Sequence, residues 1–473
     1  MYIILDQGTS STKCFIFAKE GKILWSNHVK HKMYRPQPQN VECDADEIYI
    51  SCYKLLNEAV EQVKNLDGTI ISCGMAVQRS TFLFWNKITG RALTPALSWQ
   101  DGRSQKEVAE KSDQAELIHS ITGTPLSAHF GAPKFLHMID ESEELQNQVK
   151  NGTVWFGPLS AYLCHRLTGT AVVDVSIGGR SLLMNLDLMQ WDKKICNIFN
   201  VPRSSLPQLV PTQFEFGSIN IQGQSIKLNC VIGDQQAALI GQGGTKPGIV
   251  AMNFGTSGSI QLNTNNKPLH VMELISSVLY SSKDKTNYMI EGTISASNAL
   301  FYWLEDELQI SHEDMNWHRR CTGITTDGLL IPGFAGIAAP YWTPGFEPVY
   351  INLNGASNDE IIRAGMESIG LLAFDIFEKM VQNVQLNVEY ITASGGGSRP
   401  PLLQFIADMI QIPIGHAILK DRTALGVYKL LSEFGTTNNV GECDKIYYPE
   451  MPSATRLRKI VDWHNALRKY IIK

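Results

Sequence analysis

Residues 2–17, YIILDQGTSSTKCFIF, and residues 250–262, VAMNFGTSGSIQL, follow one pattern: an apolar strand, a turn of small hydroxylated residues and a returning strand. The two Gly-Thr-Ser triplets begin at Gly8 and Gly255 and therefore lie 247 positions apart, about half of the chain. A repeat at this distance indicates the duplication of a whole domain.

Length and composition agree with two domains. The chain has 473 residues, 44% of them apolar and 18% charged, which is ordinary globular usage and excludes wholesale disorder and a membrane bundle. The net charge is −5 and no basic tract stands out, so we expect a small-molecule partner and no nucleic acid. No run approaches the ~18 apolar residues of a membrane span, and the first residues are too short a run for a signal peptide.

The cysteines and histidines indicate a compartment and a chemistry. The nine cysteines are odd in number, scattered and without a CxxC pair, which predicts buried thiols in a reducing cytoplasm. The eleven histidines include no HExxH, so a structural metal site is not expected. The oligomeric state stays open at this level and includes a homo-oligomer.

A glycine-rich stretch marks the domain boundary. GQGGTKPG, at 241–248, precedes the second copy of the repeat and predicts a hinge, with domains at 1–244 and 245–473. Both halves alternate β-branched runs with helical periodicity, which predicts an α/β architecture in each. The expected strands include 69–71, 228–232, 328–331 and 390–392, and the expected helices 44–63, 360–386 and a basic packing helix at 454–472. Residues 105–215 carry further helical pattern and are expected to elaborate the first domain around a substrate cleft.

The Gly-Thr-Ser turns suit a phosphate. Such a turn presents backbone N–H groups and hydroxyls to one point, and two turns that face each other could clamp a triphosphate. One triplet alone is better explained as an ordinary hairpin turn. Its duplication, with Asp6 before the first copy and Lys13 after it, favours phosphate binding. The absence of GxxxxGK[ST] and of GxGxxG after a strand argues against P-loop and Rossmann sites.

Two further segments could carry chemistry. VIGDQQAALIGQG places Asp234 after an apolar strand and at the start of a helix, where α/β proteins bind ligands; a structural N-cap explains this residue equally well. TASGGGSRP, at 392–400, also follows a strand, and its three glycines allow a phosphate or a flat ring to approach the backbone. The alternative for that segment is a flexible loop.

Together these motifs resemble the FGGY carbohydrate kinases, and within that family the glycerol kinases most, over nearly the whole chain. DQGTSSTK is similar to the first phosphate motif of the family, WQDGRS at 99–104 to its substrate-cleft segment, and GDQQAALIGQ to its catalytic-aspartate motif. FGTSGS is similar to the second phosphate motif, EGTISASNALFYWL to the helix beside the nucleotide, PGFAGIAAPYW to the C-terminal signature and SGGGSRPPLLQFIAD to the adenosine motif. The resemblance implies an actin-like fold of two duplicated ribonuclease-H-like α/β domains, with ATP and substrate in the cleft between them.

The resemblance also implies an activity and its residues. The chain would transfer a phosphoryl group from ATP, with Mg²⁺, to a hydroxyl of a small polyol or ketose; Asp234 would be the general base, and Asp6 and Asp234 would hold the metal. The residues implied to bind ATP are Thr9, Ser10, Lys13, Gly255, Thr256, Asn298, Phe301, Gly396 and Gly397. The residues implied to bind the acceptor are Arg79, Ser80, Trp99, His129, Asp234 and Gln235.

Four departures from the glycerol kinases stand out. Ser80 occupies the place of a glutamate, and His129 that of a tyrosine in the substrate site. Prolines at 400 and 401 stand where an asparagine is expected near the adenosine, and TPGFEPV replaces an aspartate and a later Arg-Gly. The first two departures predict that a longer polyol or ketose is a better acceptor than glycerol.

Other functions stay open at this level. One is a true glycerol kinase, another is a family member that binds sugar or nucleotide without turnover, and a third is a nucleotide switch like the actins and heat-shock chaperones. The combination of Asp234, Arg79 and Trp99 favours a kinase, because a switch has less need of a base that faces a polyol cleft.

Overall fold

The computed structural model describes residues 1–384, 387–388, 390–417, 421–432 and 443–471, and structural statements below concern these residues. The strands of the first half are β1 (Tyr2–Gln7), β2 (Ser11–Phe17), β3 (Ile23–Lys30), β4 (Glu42–Cys43), β5 (Ser72–Val77), β6 (Phe82–Asn86), β7 (Ala96–Leu97), β8 (Val154–Pro158), β9 (Val172–Asp174), β10 (Met184–Asn185), β11 (Gln190–Trp191), β12 (Gln208–Val210), β13 (Ser218–Ile221) and β14 (Gln224–Gly233). Those of the second half are β15 (Val250–Phe254), β16 (Gly258–Asn265), β17 (Ile275–Ser281), β18 (Thr286–Ile294), β19 (Leu329–Ile331), β20 (Val349–Ile351), β21 (Ile391–Ser394), β22 (Ile414–Ala417) and β23 (Cys443–Tyr447).

Helices alternate with these strands. The first half contains α1 (Ala45–Asn65), α2 (Gln105–Ala109), α3 (Ala115–Thr122), α4 (Gly131–Asp140), α5 (Glu143–Lys150), α6 (Leu159–Thr168), α7 (Val175–Gly178), α8 (Lys193–Ile198) and α9 (Asp234–Gly241). The second half contains α10 (Asn298–Glu307), α11 (His312–Met315), α12 (Trp317–Arg320), α13 (Asn358–Asn383), α14 (Pro400–Ile410), α15 (Arg422–Leu431) and α16 (Ser453–Tyr470). Short 3₁₀ turns cover Ser112–Gln114, Gly179–Ser181 and Arg203–Ser205.

The two large sheets share one topology. The first has the order β13-β14-β5-β1-β2-β3 and the second β17-β18-β16-β15-β21-β22-β23. In each sheet the strand before the Gly-Thr-Ser turn is antiparallel to its hairpin partner on one side and parallel to a later strand on the other: β1 pairs with β2 and β5, and β15 with β16 and β21. This equivalence confirms the predicted fold class, an α/β chain with a duplicated core.

The halves meet at a shared core. Apolar side chains of β1 and β2 pack there with α9 and α15. The two helices approach closely because glycines face the neighbouring backbone: a Cβ atom on Gly241 would lie 2.1 Å from the Arg422 carbonyl oxygen, and one on Gly426 would lie 1.9 Å from the Ala237 carbonyl oxygen. The connection between the halves, 242–249, contains Gly243 and Gly248 at φ +99° and +77°. The boundary between 244 and 245 and the hinge at 241–248 remain our proposals.

Most of the predicted elements overlap observed ones. Helix α1 begins one residue after Asp44, whose side chain accepts from Asp46 N and Glu47 N as its N-cap. The strand predicted at 69–71 is wrong, because β5 begins at Ser72. Helix α13 ends at Asn383, and the predicted continuation through 385–386 lies outside the described residues.

The C-terminal helix packs on the second domain, as predicted. The Trp463 indole N–H of α16 donates to Asp375 Oδ2 of α13 at 2.7 Å, and Lys459 Nζ lies 2.7 Å from Glu367 Oε2. Residue 472, the predicted end of this helix, lies outside the described residues. Among the described residues no helix is long and apolar enough to cross a membrane.

Candidate active site

The first Gly-Thr-Ser turn lies among charged groups. Gly8 N donates to the Ser11 carbonyl oxygen at 2.9 Å, which closes the turn between β1 and β2. Lys13 Nζ lies 3.1 Å from Asp421 Oδ1, a carboxylate of the second half. Burial raises the pKa of Asp6 to about 7; Lys13 opposes this rise, and the carboxylates of Asp234 and Asp421 add to it. The structure therefore brings Asp6 and Lys13 of the first motif together with Asp234, which was predicted from a separate motif.

The second turn rests on the start of a helix. The carbonyl oxygen of Gly255 accepts from Asn298 N at 3.0 Å, and that of Thr256 accepts from Ser297 N and Ala299 N at 2.9 and 3.1 Å. Gly255 and Thr256 are therefore held by backbone hydrogen bonds to the first turn of α10. The exposed side chain of Thr256 leaves one face of the turn open to a ligand.

The glycine cluster after β21 joins the same corner. Gly397 N donates to the Phe254 carbonyl oxygen at 2.8 Å, and a Cβ atom on Gly397 would lie 2.9 Å from Asn298 Oδ1. This close approach explains the glycine at 397, while Gly396 is exposed beside it. Phe301 is 2% exposed and its ring stacks on Trp317 with the ring centroids 4.2 Å apart, so it packs in the core of the second half, and its contact with the nucleotide stays a prediction.

Asp234 lies at the carboxyl end of β14 as the first residue of α9. The N-cap interpretation of this residue is wrong, because Gly233 is the N-cap and no side chain caps the helix. Asp234 Oδ1 accepts from Gln235 N at 2.8 Å and lies 3.6 Å from Arg79 Nε. Burial raises the pKa of Asp234, and the Arg79 guanidinium opposes the rise. A carboxylate with a raised pKa is a stronger base than a free aspartate.

The residues predicted to bind the acceptor come from four segments. The Trp99 indole N–H donates to Thr9 Oγ1 at 2.9 Å, so the acceptor segment touches the first phosphate turn. His129 Nδ1 lies 3.0 Å from the Trp99 carbonyl oxygen. Ser80 is buried with φ +61°, a conformation that L residues rarely adopt. Gln235 reaches the second half, where its Oε1 lies 3.5 Å from Ser259 Oγ.

Both halves of the chain match one known protein family. The model of the FGGY family of carbohydrate kinases matches twice, with its N-terminal domain at residues 1–241 and its C-terminal domain at 250–431. The chain belongs to the FGGY family of carbohydrate kinases. Membership makes it a phosphotransferase that uses ATP and acts on a hydroxyl group, and it disfavours a switch of the actin or chaperone kind.

Relatives of this FGGY kinase resemble it along their whole length. Glycerol kinase 1 of Thermotoga maritima is 31% identical over 100% of both chains. The glycerol kinase of Thermococcus kodakarensis is 29% identical, over 98% of this chain and 96% of the relative. The crystal structure of Plasmodium falciparum glycerol kinase with ADP superposes with a TM-score of 0.91 and 28% identity, over 100% of this chain and 99% of that one.

Sequence reasoning missed two charged residues of the FGGY kinase that surround Arg79. Glu291 of β18 accepts from Arg79 Nη1 and Nη2 at 2.7 and 2.8 Å, and it also accepts from Arg180 Nη2. Burial alone would raise the pKa of Glu291, but the two guanidinium groups outweigh it and lower the pKa to about 2. The sequence did contain a signal for Glu291, because this glutamate interrupts the apolar strand run YMIEGTI, and a buried charge needs a partner.

Asp421 was also missed. It follows β22 and precedes α15, which is the place that Asp234 takes after β14 in the first half. The two segments share an aspartate followed three residues later by an alanine, DRTA and DQQA. The duplication argument, extended to this strand-helix junction, would have identified Asp421.

Proposed function

We propose that this FGGY kinase phosphorylates a hydroxyl of a small polyol or ketose in the cleft between its two domains. One observation carries the proposal: Asp234, at the carboxyl end of a core strand, lies 3.6 Å from Arg79 Nε and is close enough to Asp6 to raise its pKa, and Asp6 is paired with Lys13 across β1 and β2. The proposed base Asp234, the charged side chain of Arg79 and the first Gly-Thr-Ser turn thus come together from different parts of the chain.

In the proposed reaction Asp234 is the general base. It accepts the proton of the acceptor hydroxyl as that oxygen attacks the γ-phosphorus of ATP, and the bond between this phosphorus and the β,γ-bridging oxygen breaks to leave ADP. Lys13 offsets negative charge on the transferred phosphoryl group. Thr9 and Ser10 bind phosphate oxygens from the first domain, and Gly255 and Thr256 from the second.

The adenosine would lie against the glycine cluster and the start of α10. Gly396 and Gly397 border it there, and Asn298 lies across from them. Closure about the hinge at 241–248 would exclude water from the phosphoryl transfer. We also infer a reducing cytoplasm as the compartment, because the nine cysteines are odd in number and scattered along the chain, and eight of them are buried.

The residues of the site fit Mg²⁺. Asp6 and Asp234 would supply carboxylate oxygens, the hard ligands that this cation prefers. Burial is the main cause of the raised pKa of Asp6, and the nearby carboxylate of Asp234 adds to it, so the two carboxylates lie close enough to act on one cation. Among the described residues no group of three or more His, Cys, Asp or Glu side chains could hold a metal by itself. That agrees with Mg²⁺, which is usually bound by one or two carboxylates together with substrate phosphates. When bound, it would neutralise charge on the phosphates.

Two acceptor classes compete. The names of the relatives favour glycerol. The short hydroxyl of Ser80 and the imidazole of His129 favour a longer polyol or ketose, because the pocket loses the carboxylate that would bind two hydroxyls of a three-carbon substrate. We propose the longer acceptor as the main function and glycerol as the second candidate.

The test is an ADP-release assay with ATP and Mg²⁺ across glycerol, erythritol, ribitol, xylulose and ribulose. Product identification by mass spectrometry shows that the phosphoryl group reached the acceptor, and Asp234→Asn is the matched control for a contaminating kinase. Turnover with any of these acceptors that is lost in Asp234→Asn supports the proposal. Tight acceptor or ATP binding without turnover would instead support a catalytically degenerate family member.

A further inference from the structure

A buried lysine lies behind the acceptor residues. Lys134 of α4 is 0% exposed, and its Nζ donates to the carbonyl oxygens of Ser80 at 2.7 Å, Ser98 at 2.6 Å and Leu97 at 3.4 Å. A protonated amine has three N–H donors, and each of these has an acceptor. Burying an ammonium costs free energy. A buried lysine that is surrounded by three backbone carbonyls therefore indicates a specific role for this side chain.

The three carbonyls belong to the segments expected to contact the acceptor. Ser80 directly follows Arg79 and has the rare conformation with positive φ, and Ser98 directly precedes Trp99. His129 approaches Trp99 from the segment before α4. One ammonium therefore connects two loops that are far apart in sequence and that both carry residues predicted to bind the acceptor.

We infer that Lys134 is a positioning residue for the acceptor: its ammonium holds the Arg79–Ser80 and Leu97–Trp99 loops at a fixed separation. The inference rests on the proposed function of the site. It follows from the geometry, since loss of the shared donor leaves Ser80 without the bond that stabilises its conformation and frees the backbone beside Trp99. Lys134 does not touch the reacting atoms, and it acts through these loops.

The charge of Lys134 is poised to change near neutral pH. Burial lowers its pKa to about 7, while Asp101 opposes that shift and Arg103 adds to it. Cys43 and His129 also face this ammonium: burial raises the pKa of Cys43 to about 12, and burial together with Lys134 lowers the pKa of His129. Above the pKa of Lys134 the neutral amine keeps two donors for three carbonyls, so the loops loosen.

The first measurement uses the wild-type enzyme. With the best acceptor of the panel, its KM is expected to rise several-fold between about pH 6 and pH 8.5. The contribution of Lys134 to folded stability should rise over this range because the unfolded chain, with an ordinary lysine pKa, binds the proton more tightly than the folded chain. The raised pKa of Asp6 acts in the opposite direction up to about pH 7. An acceptor KM that rises where the contribution of Lys134 to stability also rises separates positioning from a merely structural role. The pKa of Asp6, about 7, lies in the same range, but we propose that Asp6 acts at the ATP phosphates, so its titration should change the KM for ATP.

Variants isolate the lysine from other titrations. Lys134→Arg keeps its charge at every pH and is expected to flatten the pH dependence of the acceptor KM. Lys134→Met is expected to raise the acceptor KM about ten- to a hundredfold with the ATP KM nearly unchanged. Lys150→Met, on the exposed end of α5, is the matched control and should match the wild type.

Opposite outcomes would overturn the inference. An acceptor KM that is flat with pH in the wild type, or equal in wild type and Lys134→Met, excludes a positioning role while turnover leaves the kinase proposal standing. An equal effect of Lys134→Met on both substrates, in step with thermal stability, assigns the residue to folding alone. If Lys134→Met does not fold, the wild-type and Lys134→Arg profiles decide. No turnover by the wild type with any acceptor would instead refute the proposed function.

Discussion

The two Gly-Thr-Ser turns occupy equivalent places in the two sheets, yet they are built differently. In the first, Gln7 pairs with Thr12 across a four-residue turn, and Asp6, Lys13 and Asp421 surround it. In the second, Phe254 pairs with Gly258 across a three-residue turn that is held by the backbone of α10. We propose that the two turns have different roles: charged side chains around the first turn would offset the charge of the phosphates, and the backbone of the second turn would position the nucleotide.

The strand-helix junctions show the same divergence. Asp234 before the body of α9 lies against Arg79, whereas Asp421 before α15 pairs with Lys13. Duplication therefore placed a carboxylate at the start of each of the two packed helices, and of these two carboxylates Asp234 is the one beside Arg79, which we propose to bind the acceptor. This comparison predicts very unequal effects when each carboxylate is removed.

The largest expected effect is that of Asp234→Asn. Loss of a general base lowers kcat by ~10²–10⁴, or about 3–5 kcal/mol, with folding intact. Because burial raises the pKa of Asp234, the wild-type kcat should also fall on the acid side at a higher pH than a free aspartate would give. Steady-state kinetics across pH checks both points.

Asp421→Asn is the matched control for that substitution. The pair with Lys13 is partly exposed, with 41% and 31% of the two side chains accessible, so its loss should change kcat by no more than about fivefold. Equal losses of kcat in the two variants would contradict the assignment of the base to Asp234.

The second expected effect is that of Glu291→Gln. It leaves Arg79 and Arg180 buried without their carboxylate, which costs about 3 kcal/mol of stability and raises the acceptor KM as Arg79 moves. Because the pKa of Glu291 is lowered from 4.5 to about 2, its contribution to stability is present above pH 4.5 and lost as the pH falls toward 2. Chemical unfolding at several pH values measures this.

A buried glutamate remote from the cleft provides the control for Glu291. Glu367 pairs with Arg363 and Lys459 and is 2% exposed in its side chain, like Glu291. Glu367→Gln should therefore destabilise the fold to a similar degree and leave the acceptor KM unchanged. A shift of the acceptor KM in both variants would show that general destabilisation, rather than the position of Arg79, is responsible.

The third expected effect tests the second turn. A Cβ atom on Gly255 would lie 3.7 Å from the Ser257 carbonyl oxygen, an ordinary contact, so Gly255→Val fits the ligand-free fold and should mainly obstruct phosphate. We expect ATP affinity to fall about tenfold or more, which is about 1.4 kcal/mol. Calorimetric titration with ATP and thermal melting of the same samples compare the two effects.

Gly397→Val sharpens that test, because its Cβ atom would lie 2.9 Å from Asn298 Oδ1 and 3.1 Å from the Phe254 carbonyl oxygen. This variant should lose thermal stability as well as ATP affinity. If the Gly255→Val protein binds ATP as tightly as the parent, the second turn is not part of the nucleotide site.

The sequence alone identified local motifs, but it did not identify the contacts between residues of the two halves. The turns, Asp234 and the glycine cluster each occupy one short segment, so a single stretch of sequence identifies them. The pair of Arg79 and Glu291 joins residues 212 positions apart, and only the fold shows which buried charges meet. Phe301 shows the same limit: the motif predicts its position beside the nucleotide, which stays a prediction, but it does not show that the ring stacks on Trp317.

The smallest expected effect concerns the acceptor, and it tests whether this chain prefers the same acceptor as its glycerol kinase relatives. Ser80 offers a single neutral hydroxyl and His129 an imidazole beside Trp99, so a three-carbon polyol leaves part of the pocket unpaired. We expect kcat/KM for a four- or five-carbon polyol or ketose to exceed that for glycerol by about three- to tenfold, up to about 1.4 kcal/mol. Water that fills the unpaired part of the pocket would reduce this difference in kcat/KM.

Ser80→Glu restores the missing carboxylate and should shift the preference back toward glycerol, provided the variant retains its folded stability. A clear lead for glycerol in the wild type, tenfold or more, would show that the pocket adapts without that carboxylate and would leave the kinase assignment intact.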